Sequence, residues 1–299
     1  MPYIYQKNSR RHFIKVLAGG AGAIATMGAF SSFTKEEEKN LRVALFSDVH
    51  IPVDVTETYR GFSMTENLKM VVSGVSKSPV HSAIITGDLA RLEGKPDDYA
   101  ELKTLLKPLA GKMPVAMALG NHDRRDHFLE TFPETPGERQ NVKNKLVLLL
   151  DYPEVRFILL DSLIFTNDSP ALGLLGKAQR QWLAAFLEKH TDKPVLLFEH
   201  HTLGDNDGDL ADAERLFEII RPHRHVKAII YGHSHVYGYD VRDDIHLVNL
   251  PAVGYNFKDE DPVGWVEAEI TPRGATFTLH AVGGNSQNDG TAKKLTWRR

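Results

Sequence analysis

LRVALFSDVH, Leu41 to His50, is an apolar run that breaks at its end into two polar residues, Asp48 and His50. It reads as a β-strand, and on an extended chain residues two apart project to the same face. Four more runs follow the same pattern. HSAIITGD ends in Asp88, PVAMALGNHD in Asn121, His122 and Asp123, PVLLFEHH in His200 and His201, and VKAIIYGHSH in His233 and His235. Helical patterns lie between them: Ser63 and Glu66 form a capping box before Leu68, Val71, Val72 and Val75, and AQRQWLAAFLEKH repeats apolar residues at helical spacing. Strands alternating with helices predict an α/β fold, and in open α/β sheets ligands bind at the carboxyl ends of the strands. All five runs place their polar residues there. The segment from Leu247 to Val282, punctuated by Pro251, Gly254, Gly264 and Gly274, predicts shorter strands and turns.

The polar residues narrow the chemistry. The 299-residue chain has no cysteine, which excludes disulfides, thiolate metal sites and cysteine nucleophiles, so a metal would be held by His, Asp, Glu or Asn. Two Asp, one Asn and up to four His at the strand ends suffice for two metal ions sharing a carboxylate. Nitrogen and oxygen donors without sulfur suit zinc, iron or manganese. Gly87, Gly120 and Gly232 precede Asp88, Asn121 and His233, where backbone must approach a ligand closely. His200 and His201 are adjacent, so an extended strand sends them to opposite sides and only one is expected to serve the site. A net charge of -3 without a basic stripe predicts no nucleic-acid partner.

The N-terminal residues are of another kind. Ser9-Arg10-Arg11 precedes Phe13, Ile14 and Lys15, and a Gly- and Ala-rich run continues from Val16 to Phe30. The pattern resembles a twin-arginine export signal and predicts an exported, periplasmic or extracellular protein. The run falls short of the roughly 20 residues that span a bilayer, so no stable membrane insertion is expected once the signal is removed. TKEEEKN, Thr34 to Asn40, reads as a linker.

In order, DVH, GD, GNHD, a downstream His and GHSH resemble the five motif blocks of the calcineurin-like metallophosphoesterases, over Val43 to about Val253. GDLARLEGKPDDY and GNHDRR are most similar to the class III cyclic-nucleotide phosphodiesterase branch and its glycerophosphodiesterase relatives. The resemblance implies a four-layer αββα sandwich of two mixed sheets, with residues 1–40 as export signal and linker, 41–285 as the metallophosphoesterase domain and 286–299 as a polar tail. It implies Asp48, His50 and His235 on a first metal, Asp88 bridging, and Asn121, His200 and His233 on a second. A bridging hydroxide would attack the ester, His122 would serve the leaving oxygen, and Asp123 would orient His122. Arg124, with Arg125, and His201 are the candidates for binding substrate. Asp161 matches a recurrent position of the family but reads as a structural strand end.

The expected activity is hydrolysis of small phosphate esters, with diesters preferred. The competing readings are a phosphomonoesterase, a metal-containing binding protein without turnover, and a nuclease of the same superfamily. His81, His127, His190, His223, His225, His246 and His280 lie outside the motif blocks and are expected to be structural or on the surface.

Overall fold

The computed structural model describes residues 40–165 and 171–299, so the export-signal prediction lies outside the described residues. The first part of the fold alternates as the pattern predicts: β1 (Leu41–Phe46), α1 (Met64–Val75), β2 (Ser82–Ile85), α2 (Pro96–Ala110), β3 (Val115–Met117) and α3 (Arg125–Thr131). There follow β4 (Glu138–Arg139), β5 (Leu148–Asp151), β6 (Arg156–Leu159), α4 (Gly176–Lys189), β7 (Val195–Phe198), α5 (Ala213–Ile220) and β8 (Val226–Tyr231). β9 (Gly238–Arg242), β10 (Ile245–Asn249), β11 (Pro262–Thr271), β12 (Gly274–Gly284) and β13 (Ala292–Thr296) complete it. The hydroxyl of Ser63 accepts from the Glu66 amide at the start of α1, the N-cap half of the predicted capping box. Among the described residues no helix is long and apolar enough to cross a membrane.

Two mixed sheets form. In one the order is β13-β12-β11-β1-β2-β3, with β1, β2 and β3 parallel and the remaining pairs antiparallel. In the other the order is β4-β5-β6-β7-β8-β10-β9, with β6, β7, β8 and β10 parallel. The period of two in the second sheet divides its side chains between two cores. Phe157, Leu159, Leu196, Phe198, Ala228 and Ile230 face the first sheet, and α1 and α2 join that core. Their neighbours Ile158, Leu160, Leu197 and Ile229 face the other way, against Leu183 and Leu187 of α4 and Leu216 and Phe217 of α5. The near-continuous apolar runs of the parallel strands thus report burial on both faces. This is the expected four-layer αββα sandwich.

Two expectations fail toward the C-terminus. β11 and β12 are the longest strands described rather than short ones, and they carry the first sheet from its parallel to its antiparallel half. Residues 286–299 are not a free tail: β13 pairs with β12, Leu295 and Trp297 are buried, and Trp297 donates to the Thr271 carbonyl. The basic character of that segment concealed a buried cation. The guanidinium of Arg298 donates to the carbonyls of Val226, Ile220, His223 and Asp243 at 2.7–3.1 Å, closing the end of α5 and the start of β8. Arg298 therefore joins the last strand of one sheet to the other sheet.

Replacing Arg298 by Ala orphans these carbonyls and should destabilise the domain by about 3 kcal/mol in chemical denaturation. Arg298→Lys should recover only part of this, because an ammonium cannot span the same carbonyls.

Candidate metal centre

Every parallel strand that meets the centre ends two to four residues before its polar group, and the chain then turns sharply. Asp48, His50, Asp88, His233 and His235 all have positive φ, between 47° and 70°, and they are five of the nine non-glycine residues with that conformation among the described residues. The left-handed region costs an L-residue about 1–2 kcal/mol, so the strain is concentrated in the loops that carry the site. The extended-chain argument for Asp48 and His50 does not hold locally, since β1 stops at Phe46. Both side chains reach the same place through consecutive left-handed turns instead. Glycines make room for this. A Cβ on Gly120 would lie 2.5 Å from the Asp88 amide nitrogen and 2.7 Å from His200 Nε2, and one on Gly232 would lie 2.5 Å from Asp48 Oδ2 and overlap the Ser47 hydroxyl.

Among the described residues, two of the three donor groups are Asp48 with His50 and His235, and Asp88 with His200 and His233; the third joins His50 and Asp88 to His122. In the first, His235 Nε2 lies 3.2 Å from His50 Nε2 and 3.3 Å from Asp48 Oδ1. His50 Nδ1 donates to the Arg91 carbonyl at 3.3 Å and His235 Nδ1 to the Tyr255 carbonyl at 2.5 Å. A carbonyl cannot donate, so each neutral ring carries its proton on Nδ1 and turns the lone pair of Nε2 inward. Asp48 is aimed in the same way, since Oδ2 is taken by the Ser47 hydroxyl and the His233 amide while Oδ1 is buried without a hydrogen-bond partner. Asp88 stands between the sets, with Oδ1 3.3 Å from His200 Nε2 and Oδ2 3.6 Å from His50 Nε2. Asp48 Oδ1, Asn121 Oδ1 and the His200 nitrogens are buried without hydrogen-bond partners, while Asp88 Oδ1 accepts from the His122 amide at 2.9 Å, so these residues fit a pair of metal ions.

The electrostatics carry the same demand. Burial drives the pKa of His50 down to about 3 and that of His233 to about 4, keeping both rings neutral. Burial also opposes charge on His200, but the Asp88 carboxylate outweighs it and raises that ring to about 9. Burial would raise Asp88, yet His200 and His122 hold it well below the usual carboxylate range. Without metal, a protonated His200 supplies the missing positive charge.

His122 sits at the open mouth. Its Nδ1 donates to the Leu92 carbonyl at 2.9 Å, and its Nε2 lies 3.9 Å from Asp88 Oδ2. Asp123 does not orient it. The Asp123 carboxylate is buried and accepts from the Leu89, Ala90 and Gly120 amides and the Tyr99 hydroxyl, pinning the β2 and β3 loops together. Burial, with the charge of Asp88, pushes its pKa up to about 6. Beyond His122 opens a cleft of about 420 Å³ lined by Leu92, Lys95, Arg124, His127 and Phe165, where the Arg124 guanidinium lies 4.7 Å from the Phe165 ring.

Two substrate-binding expectations are corrected. Arg125 is committed to Asp161 through two hydrogen bonds of 2.7 and 2.8 Å, which leaves Asp161 structural as expected. His201 is fully buried, with Nδ1 2.7 Å from the Ser162 hydroxyl and its ring 4.9 Å from that of His233, so it braces a member of the donor set from behind. The loop after it is held internally, because Asp209 accepts from the Thr202 hydroxyl and the Asn206 amide. Glu199 escaped the sequence reading although it directly precedes His200. Its buried carboxylate accepts from the His201 amide, and burial pushes its pKa up to about 8.

Residues 41–237 match the model of the calcineurin-like phosphoesterase family. A probable cyclic nucleotide phosphodiesterase of Synechococcus sp. is 26% identical over 242 residues, 79% of this chain and 89% of that protein. A probable glycerophosphodiester phosphodiesterase of Arcobacter nitrofigilis is 29% identical, covering 64% of this chain and 71% of that one. In fold, the crystal structure of a dimetal phosphatase from Danio rerio superposes with a TM-score of 0.67 at 18% identity, over 86% of this chain and 99% of that one. With the αββα sandwich, the paired donor sets at its strand ends and a family match over most of the folded chain, this protein belongs to the calcineurin-like phosphoesterase family of metal-dependent hydrolases.

Proposed function

We propose that the protein is a dinuclear phosphodiesterase acting on small phosphate diesters. The observation that carries this reading is the pair of carboxylate and imidazole sets facing each other across Asp88, with Nε2 of His122 at their open side. Manganese, iron or zinc would be held by Asp48, His50 and His235 on one side and Asn121, His200 and His233 on the other, with Asp88 shared. Bound there, the metals supply Lewis acidity and make water nucleophilic near neutral pH. The protein does the rest. The oxygen of water adds to phosphorus as its proton leaves to solvent, the bond from phosphorus to the leaving oxygen breaks, and His122, acting as an imidazolium with a proton on each nitrogen, gives the Nε2 proton to that oxygen while Nδ1–H stays fixed on the Leu92 carbonyl. Asp123 is a positioning residue that fixes both loops. The names of the relatives support diesters, as does the exposed apolar surface of Leu92 and Phe165 beside His122, which suits an organic ester group.

Metal-replete protein should hydrolyse bis(4-nitrophenyl) phosphate faster than 4-nitrophenyl phosphate; the reverse order would favour the monoesterase reading. In His122→Ala, kcat should fall by roughly 10²- to 10⁴-fold on diesters with alkyl leaving groups and less on 4-nitrophenyl esters, with metal content retained. Asp123→Asn should instead lower metal content and stability.

Proton release provides a second check. His200 must be neutral to act as a donor, and below about pH 9 the metal-free ring is charged. Loading metal near pH 7.5 should therefore release about one proton from this group, read by calorimetry in buffers of different ionisation enthalpy, and the release should vanish above pH 9.

Export is part of the proposal and rests on Arg10, Arg11 and the apolar run behind them. Full-length protein with both arginines changed to lysine should stay in the cytoplasm of a bacterial host that has a twin-arginine pathway. Unchanged recovery in the envelope fraction would refute this route.

A further inference from the structure

Exposed aromatic side chains also lie beyond His50, whose ring packs at 5.0 Å on that of His122 and at 5.1 Å on that of His235. The Phe257 ring is packed against the ring of His235, with centroids 4.4 Å apart and planes 32° apart, yet it is 46% exposed. Tyr255, buried, contacts the rings of both His50 and His235, and it meets Phe257 on one side and Tyr59 on the other at 5.6 and 4.7 Å. Tyr59 is 40% exposed. It is presented by a two-residue hairpin in which Tyr59 and Phe62 exchange backbone hydrogen bonds and Arg60 and Gly61 both have positive φ.

The placement is built. Arg60 donates to the carbonyls of Asn256 and Phe257 at 2.9 and 2.6 Å, which ties the hairpin to the Phe257 loop, and its guanidinium lies 5.7 Å from the Phe257 ring. Arg91, held by Glu57 at 2.6 Å, stacks its guanidinium 4.7 Å from the Tyr59 ring. Neither aromatic is needed to complete the buried core, and both are fixed by charged groups before any ligand arrives. Rigid, half-exposed rings beside a reacting centre are suited to stacking a flat group.

We propose that Phe257 and Tyr59 form the subsite for the retained ester group of the substrate, and that this group is planar and aromatic, as a nucleobase or aryl ring is. The assignment rests on the phosphodiesterase reading. His122 gives its proton to the leaving oxygen, so the leaving group occupies the Leu92, Arg124 and Phe165 cleft on its own side. The group that stays on phosphorus is directed past His50 toward His235, where the Phe257 ring stands at the far end of the row His122, His50, His235. Hydrolysis then releases the alcohol of the leaving group and leaves a monoester of the stacked group.

The test uses metal-loaded full-length protein and three diesters that release 4-nitrophenol but retain different groups: methyl, phenyl and 5′-thymidyl. In wild type, kcat/KM for the phenyl and thymidyl esters should exceed that for the methyl ester. In Phe257→Ala these ratios should fall about tenfold, chiefly through KM, with Tyr59→Ala smaller in the same direction and the exposed Met70→Ala without effect on them. Phe257→Leu keeps apolar bulk against His235 and should still lose most of the preference. Metal content, measured alongside, identifies a collapsed site. Ratios unchanged in metal-replete Phe257→Ala and Phe257→Leu would overturn the subsite while leaving the phosphodiesterase reading intact. Failure of wild type to hydrolyse any of the three would overturn both.

Discussion

The carboxylate of Asp88 is the constraint on which the centre depends. It is buried between two groups of imidazoles and presents one oxygen to each, 3.3 Å from His200 and 3.6 Å from His50. An isolated carboxylate in such a place would be costly, and so would imidazole lone pairs facing each other at 3.2 Å. A shared cation removes both penalties at once. The remainder of the site is arranged to hold it in place: the outer nitrogens of His50 and His235 are tied to backbone carbonyls, Asp48 Oδ2 is occupied by the Ser47 hydroxyl and the His233 amide, and Asp123 clamps the loops that carry Asp88 and Asn121.

Such an arrangement needs a scaffold that tolerates strain. Five of the proposed donors occupy left-handed backbone, and glycines stand where a Cβ would strike the donors themselves. The sandwich supplies the compensation, since β1, β2, β7 and β8 are fully or largely buried and bring loops from both sheets to one edge. Arg298 contributes at a distance by joining the last strand of one sheet to the carbonyls around α5 and β8 of the other.

Around this fixed centre the surface divides by chemistry. His122 faces a cleft with a cation and an apolar ring, while the His50 and His235 side carries Phe257 and Tyr59. On the proposed phosphodiesterase reading, the two organic groups on one phosphorus would use these two surfaces, and the rims would set substrate choice.

The sequence by itself determined the alternation of strands and helices in the first part of the fold, the α/β class, and the Asp, Asn and His residues that stand at the strand ends. Apolar runs ending in Asp, Asn or His are local patterns, and strand ends in such sheets converge whatever the details. It misjudged residues whose meaning lies in a distant partner. Asp123 is adjacent to His122 in the chain but bonds to Leu89, Ala90 and Tyr99; Arg125 belongs to Asp161; and His201 is turned into the fold against Ser162. The polar stretch after residue 285 became a sheet strand for the same reason, because an arginine that caps carbonyls some 75 residues away looks no different in sequence from one in solvent. Periodicity gives the direction of a side chain relative to its own element. Only the tertiary structure decides what it meets there, and hydrogen bonds to buried backbone are what settled each of these cases.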